Sequence, residues 1–186
     1  LKLDIPGYQA LEQHRDRGKR GGIAILVKKG VKILKNFGNE YAQVVCLQGQ
    51  GSEKVWVGNV YLPPALSLVR RGIEEEMARC QIEEVMSCIP QQDVQVVCGD
   101  WNARVADMSP TIDDISIPRK SDDPHTNCRA PWLIALCEMQ GWHILNGAQP
   151  GPPACKTFAK GNTGSCIDLV LSNNVKHVLS YDHSTL

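Results

Sequence analysis

Apolar residues recur along this chain with two different periods, and the switches between them mark out its elements. Residues 22–28 (GIAILVK) form a short apolar run with β-branched members, which predicts a strand. After Gly30, residues 32–37 (KILKNF) alternate polar and apolar, so 22–37 reads as two strands joined by a turn. Residues 41–48 (YAQVVCLQ) and 54–62 (KVWVGNVYL) give two more, separated by the turn-forming GQGS and stopped by Pro63-Pro64. From Val69 to Ile89 the period lengthens. Ala78, Ile82, Val85, Met86 and Ile89 recur at helical spacing, and most of the glutamates fall off that face. This predicts one amphipathic helix, ended by Pro90 and packed on a sheet. Val94–Cys98 (VQVVC) is nearly all apolar, as in a strand buried on both faces. Residues 101–128, rich in Asp, Ser and Pro, read as loop, and 131–140 as a second helix stopped by Gly141. Strands follow at 143–145, 156–158, 166–172 and around Val178. About eight strands and two helices, with a helix between strands and several hairpins, predict an α/β sandwich with mixed sheets. A chain of 186 residues is expected to form one domain with a substantial core.

Charge refines this picture. The chain carries 20 Lys+Arg and 20 Asp+Glu, so its net charge is zero. The balance hides an asymmetry: residues 1–71 hold 12 basic and 5 acidic side chains, a net of +7, and residues 72–186 hold 8 and 15, a net of −7. A split of this size raises the question of an anionic partner. The opening 20 residues contain no apolar run, so neither a signal peptide nor a membrane anchor is expected there. The longest apolar stretches are strand-sized, far short of a membrane span of ~20 residues. Eight cysteines could imply a disulfide scaffold. Cys46, Cys98, Cys137 and Cys166, however, sit in apolar contexts where free cysteine packs as a small hydrophobe, and no C-x-x-C pair occurs. The expectation is a reducing, intracellular compartment.

Four places could carry chemistry. In VVCGDWNAR (96–104) a buried strand ends at Gly99, and Asp100 and Asn102 follow two apart. In extended backbone such residues project to the same side, so a proton acceptor and an amide donor would point together into a cleft. The plainer alternative is a Gly-Asp turn closed by an Asx hydrogen bond. In SCIDLVLSN (165–173), Asp168 interrupts an apolar strand, where a carboxylate must be paired or lie at a site. The alternative is an edge-strand aspartate facing solvent. In SYDHSTL (180–186), Asp182 and His183 are adjacent, and a histidine suits acid–base work near neutral pH. In GNVYLPP (58–64), Tyr61 ends a strand where a loop opens, or is a half-buried strand aromatic.

Taken in order, GGIAILV, NVYLPP, a helix, GDWNA, TF with CIDLVLSN, and DH resemble the endonuclease/exonuclease/phosphatase superfamily over essentially the whole chain. Within it, the sequence looks most like the endonucleases of LINE-type (non-LTR) retrotransposons. The local cues are IPGY at 5–8 followed by an Arg-rich loop and Gly21-Gly22, Asn127 with Arg129 before the second helix, and HILNG at 143–147. The resemblance implies a four-layer α/β/β/α sandwich of the DNase I type and a metal-dependent phosphodiesterase. By the family's pattern, Asp100 would activate or orient the attacking water and Asn102 would stabilise the pentacovalent phosphate. Tyr61 would contact the phosphate, and Asp168 would hold His183 at the scissile phosphate. Asp182 would supply a metal or phosphate contact. Carboxylates converging on a phosphodiester need a divalent cation, and an oxygen donor set suits Mg²⁺ or Mn²⁺.

The resemblance also sets expectations about partners. The partner would be DNA, with Arg15, Arg17 and Arg20 of the basic loop HRDRGKR (14–20) facing its phosphates. A larger retrotransposon polyprotein with reverse transcriptase is the expected context, no membrane is involved, and the site of action would be nuclear. One departure stands out. Members of the family begin with a strand carrying an Asn and a strand ending in the Glu that is the principal metal ligand. Here the IPGY element comes at once, and Glu12, Glu40 and Glu53 lie in the wrong elements to substitute. The chain is therefore expected to be truncated at its N-terminus, with weak or no activity by itself. Two other outcomes compete: a phosphatase of the same fold acting on small phosphoesters, and a non-catalytic remnant that binds nucleic acid.

Overall fold

The computed structural model describes residues 3–14, 22–160 and 163–175. The chain divides into two compact units, 1–99 and 100–186.

The first unit opens with β1 (Tyr8–His14) and β2 (Gly22–Lys28), an antiparallel pair in register from Tyr8 opposite Lys28 to His14 opposite Gly22. The sequence pattern gave an IPGY element at 5–8 and a basic loop at 14–20, and β1 between them was not expected. Its polar residues Gln9, Glu12 and Gln13 hide the strand, which forms because β2 offers it a full ladder. β3 (Ile33–Gly38), β4 (Ala42–Gln48) and β5 (Lys54–Tyr61) follow as an antiparallel meander, and β6 (Val94–Asp100) is the next neighbour of β5. The expected turn after β2 is present: Gly30 takes a left-handed conformation, and Val31 N–H donates to the Lys28 carbonyl. Its two flanking strands do not pair with each other, since β2 pairs with β1 and β3 with β4. Ile25, Val27 and Val45 form a buried cluster, flanked by Leu11, Ile33 and Leu47.

The single helix expected over 69–89 is two helices, α1 (Ala65–Arg70) and α2 (Glu75–Ser87). Gly72 at φ +67° ends α1, and the N–H groups of Arg71 and Ile73 both return to the Leu68 carbonyl. A glycine accepts that conformation without a Cβ clash, so the helix stops where periodicity alone would carry it on. The apolar face is as expected: Ala78, Ile82, Val85, Met86 and Ile89 are all buried, and α2 packs on β4.

The second unit holds β7 (Thr111–Ile112) and β8 (Ile115–Ser116), a small hairpin inside the stretch expected to be loop. α3 (Ala130–Gln140) starts with Pro131 in its first turn. It ends at Gly141, which caps it in the left-handed conformation, with Trp142 N–H donating to the Cys137 carbonyl. β9 (His143–Ile144) pairs antiparallel with β12 (Asp168–Ser172), and between them β10 (Phe158–Lys160) and β11 (Thr163–Ser165) form a hairpin. The strand expected near Val178 lies outside the described residues. Trp101, Leu133, Trp142, Ile144, Leu169 and Leu171 fill the core of this unit.

All eight cysteines are free. Cys46, Cys137 and Cys166 are buried as expected, and burial pushes each thiol up from its ordinary pKa. Cys98 is only half-buried, because alternation along β6 turns Gln95 and Val97 to the buried face and Cys98 to the other, where its thiol donates to the Gly58 carbonyl at 3.6 Å. Among the described residues no helix is long and apolar enough to cross a membrane.

Candidate active site

The strand β6 delivers Asp100 at its last residue, and there the backbone turns sharply. Asn102 lies at φ +47°, outside extended geometry, so the two side chains do not meet by the i, i+2 alternation of a strand. They meet by an Asx turn: the Asn102 N–H donates to Asp100 Oδ1 at 3.0 Å, and the Asn102 side chain also hydrogen bonds to that carboxylate. The plain alternative from the sequence, an Asx turn, and the functional one, an acid beside an amide, are one structure. Trp101, between them, is fully buried, and its N–H donates to the Ile167 carbonyl at 3.0 Å. That bond sets the Asp100–Asn102 turn beside the start of β12.

Asp168 begins β12, and it is exposed. Alternation along DLVLS sends Leu169 and Leu171 inward and Asp168 out, so the strand meets the cost of its carboxylate by exposing it to solvent. It nevertheless lies close enough to repel Asp100. Burial raises the Asp100 carboxyl above the ordinary carboxylate range, the hydrogen bonds from Asn102 lower it, the Asp168 charge raises it again, and Arg129 lowers it. The net direction is upward. An acid whose charged form is disfavoured and which faces an amide and a second carboxylate is fit to take up a proton from a bound water.

Several residues that hold this arrangement had no assigned role in the sequence. Asn127 was noted as a cue only. Its side chain donates to the Asn102 carbonyl at 2.9 Å and accepts from the N–H groups of Arg104 and Arg129 at 3.1 and 3.2 Å. It thereby ties the turn to the start of α3. Thr157 Oγ accepts from the N–H groups of Ile167 and Asp168, both at 3.1 Å. Asp123 is fully buried and was not singled out at all. Its carboxylate takes a two-pronged ion pair from Arg104, with Nε at 2.8 Å, and accepts from the N–H of Cys166 at 3.1 Å. It thus joins the segment after Asn102 to the segment before Asp168.

The Arg104 hydrogen bond, opposed in part by burial, holds the Asp123 carboxyl down to about 2. A depressed carboxylate contributes stability that is present above its unfolded value near 4 and is lost as pH falls through its folded value. Wild type is therefore expected to be more stable than Asp123→Asn by about 2 kcal/mol at pH 7, allowing for solvent around the partly exposed arginine. Urea unfolding should show that gap closing between about pH 4 and pH 2. A gap that stays constant with pH would rule the ion pair out as its source.

The remaining candidates fall elsewhere. Tyr61 ends β5 in the first unit, half-buried, with its N–H donating to the Tyr41 carbonyl at 2.8 Å. Asp182 and His183, and the basic-loop residues Arg15, Arg17 and Arg20, lie outside the described residues. Among the described residues no three His, Cys, Asp or Glu side chains are grouped to hold a metal ion.

A mixed α/β fold with a central sheet, ending a strand in a Gly-Asp-x-Asn turn, is a fold of the DNase I type. The sequence pattern of the endonuclease/exonuclease/phosphatase family matches residues 3–184, and the chain belongs to that family. Among solved structures it is similar to TDP2 of D. rerio complexed with a single-strand DNA product, at 9% identity and a TM-score of 0.55, covering 92% of this chain and 64% of that one. It is similar to the 3'-5' exonuclease NExo of Neisseria meningitidis, at 17% identity and a TM-score of 0.57, covering 89% and 67%. It is also similar to an AP endonuclease of Archaeoglobus fulgidus, at 13% identity and a TM-score of 0.55, covering 90% and 67%. The chain spans less than two thirds of the D. rerio protein's length. No curated protein sequence matches it.

Proposed function

We propose that this protein is a divalent-metal-dependent phosphodiesterase that nicks DNA, of the kind that non-LTR retrotransposons carry. One observation carries the reading. A family member's Gly-Asp-x-Asn turn brings Asp100, with its raised pKa, against Asn102 and beside Asp168. In this reading Asp100 takes the proton of a water as its oxygen forms a bond to phosphorus. Asn102 donates to the oxygen on which charge builds, and the bond from phosphorus to the leaving sugar oxygen breaks. Tyr61 contacts the phosphate, Asp168 orients His183, and His183 faces the scissile phosphate. Nucleases of this family generally use divalent metals; Mg²⁺ or Mn²⁺ would neutralise the charge that converging carboxylates present to a phosphodiester. Asp182 is the proposed ligand, and Arg15, Arg17 and Arg20 the proposed DNA contacts. The retrotransposon assignment rests on IPGY, Asn127 with Arg129, and HILNG. It implies a nuclear site of action and a reverse transcriptase in the same reading frame.

The test is conversion of supercoiled plasmid to open circles by protein expressed from its natural reading frame, with Mg²⁺, with Mn²⁺ and with chelator. Metal-dependent nicking is expected, without phosphate release from small phosphoesters. Phosphate release without nicking would make it a phosphatase. Retardation of DNA without either activity would make it a non-catalytic binder. Either result overturns the proposal.

A further inference from the structure

The ladder between β9 and β12 runs out before it reaches Asp168. Leu171 is opposite Ile144 and Ser172 opposite His143, and the last backbone bond is from Leu145 N–H to the Val170 carbonyl at 2.8 Å. A regular antiparallel ladder would next use the Leu145 carbonyl to accept from Val170 N–H. That carbonyl is diverted, because it accepts from Ala148 N–H at 3.1 Å in the turn that follows. The turn is committed elsewhere as well. Gly147 lies at φ +72°, a Cβ there would meet the Lys120 carbonyl oxygen at 1.9 Å, and the Asn146 carbonyl accepts from Arg119 Nε at 2.8 Å.

The Asn146 side chain fills the gap. Its Oδ1 accepts from Val170 N–H at 2.7 Å, and its Nδ2 donates to the Asp168 carbonyl at 3.3 Å. A carboxamide carries the same donor and acceptor as a peptide unit, so one side chain replaces the two backbone groups that the turn removes from the ladder. With Thr157 Oγ on the Asp168 N–H, both backbone groups of Asp168 are held by side chains from separate segments. We propose that Asn146 is a positioning residue for Asp168, its amide continuing β12 past the end of β9. Its bearing on catalysis rests on the phosphodiesterase reading above; its hold on the strand does not.

The two parts are tested separately. Amide hydrogen exchange on Asn146→Ala should show Val170 losing about tenfold in protection, the size of one lost hydrogen bond, while Leu145 keeps its own. Asn146→Asp retains the acceptor, so it should restore Val170 protection. In the nicking assay Asn146→Ala should lower kcat about tenfold and leave KM for DNA within about twofold, since both polar atoms of the Asn146 side chain are engaged with the backbone of β12. Unchanged protection at Val170 overturns the proposal, as does an equal loss at Leu145, which would mean general loosening of β9 and β12. A kcat unchanged in a protein whose Val170 has lost protection overturns the catalytic part. Wild type that fails to nick at all sinks the phosphodiesterase reading, and the exchange result still decides whether Asn146 holds the strand.

Discussion

Asp100→Asn is expected to slow metal-dependent nicking by about 10³-fold while leaving the fold intact, within the range for loss of a general base. The substitution keeps the side chain's shape, and an amide oxygen still accepts from the Asn102 N–H that closes the turn. What it removes is the proposed proton acceptor. The charge it removes is one that the fold opposes, since burial and Asp168 both disfavour it. Melting temperature should therefore stay level or rise, as is common where a site holds a strained charge for function. Single-turnover nicking rates and thermal unfolding, measured on the same preparation, check both halves. A rate within tenfold of wild type would remove Asp100 from the mechanism. A large drop in melting temperature would reassign it as structural.

Gly99→Ala is expected to be the most damaging single methyl in the first unit, costing at least ~4 kcal/mol. Gly99 lies at φ +152°, where side chains are strained, and a Cβ there would sit 1.9 Å from the Val60 carbonyl oxygen and 2.7 Å from its carbon. The obstacle is backbone, so no rotamer change relieves it, and β5 and β6 would have to part. Gly30→Ala is the control. It also has positive φ, at +95°, but nothing lies within 4 Å of the added atom, so only the conformational penalty of ~1 kcal/mol applies. Denaturant unfolding of the two variants should separate clash from strain. Equal effects would overturn the close-approach account. If Gly99→Ala does not fold, Gly99→Ser should fail too while Gly30→Ala folds normally, and a soluble Gly99→Ser of wild-type stability would count against it.

The pattern of apolar residues was enough to locate most strands and the buried face of α2, because period 2 and period 3.6 are written in neighbouring residues. It missed β1, whose polar residues form a strand only because β2 is there to pair with them. It ran α1 and α2 together, since Gly72 interrupts the helix without breaking the spacing. The order of motifs from GGIAILV to DH was specific enough to indicate the family that the whole-chain match establishes.

The geometry of the candidate site was less accessible. Asp100 and Asn102 stood out by type and proximity, but their meeting depends on a left-handed residue at 102 rather than on strand alternation. Asp168 stood out because it interrupts an apolar strand, and only the fold decided that it faces solvent. Asp123 gave no signal, since a single aspartate in a polar stretch looks like solvated loop until its partners are known. They lie 19 and 43 residues away, at Arg104 and Cys166. Asn127 and Asn146 act in the same way, on residues 25 and 22 to 24 positions distant.

The sequence by itself thus determined what depends on neighbours along the chain: the strands with clear alternation, the amphipathic face, the turn chemistry and the ordered motifs of the family. Tertiary structure alone decided which polar groups are buried and what satisfies them. A buried carboxylate or amide is tolerable only with partners, and those partners come from whatever segment the fold brings alongside, at separations that follow no period.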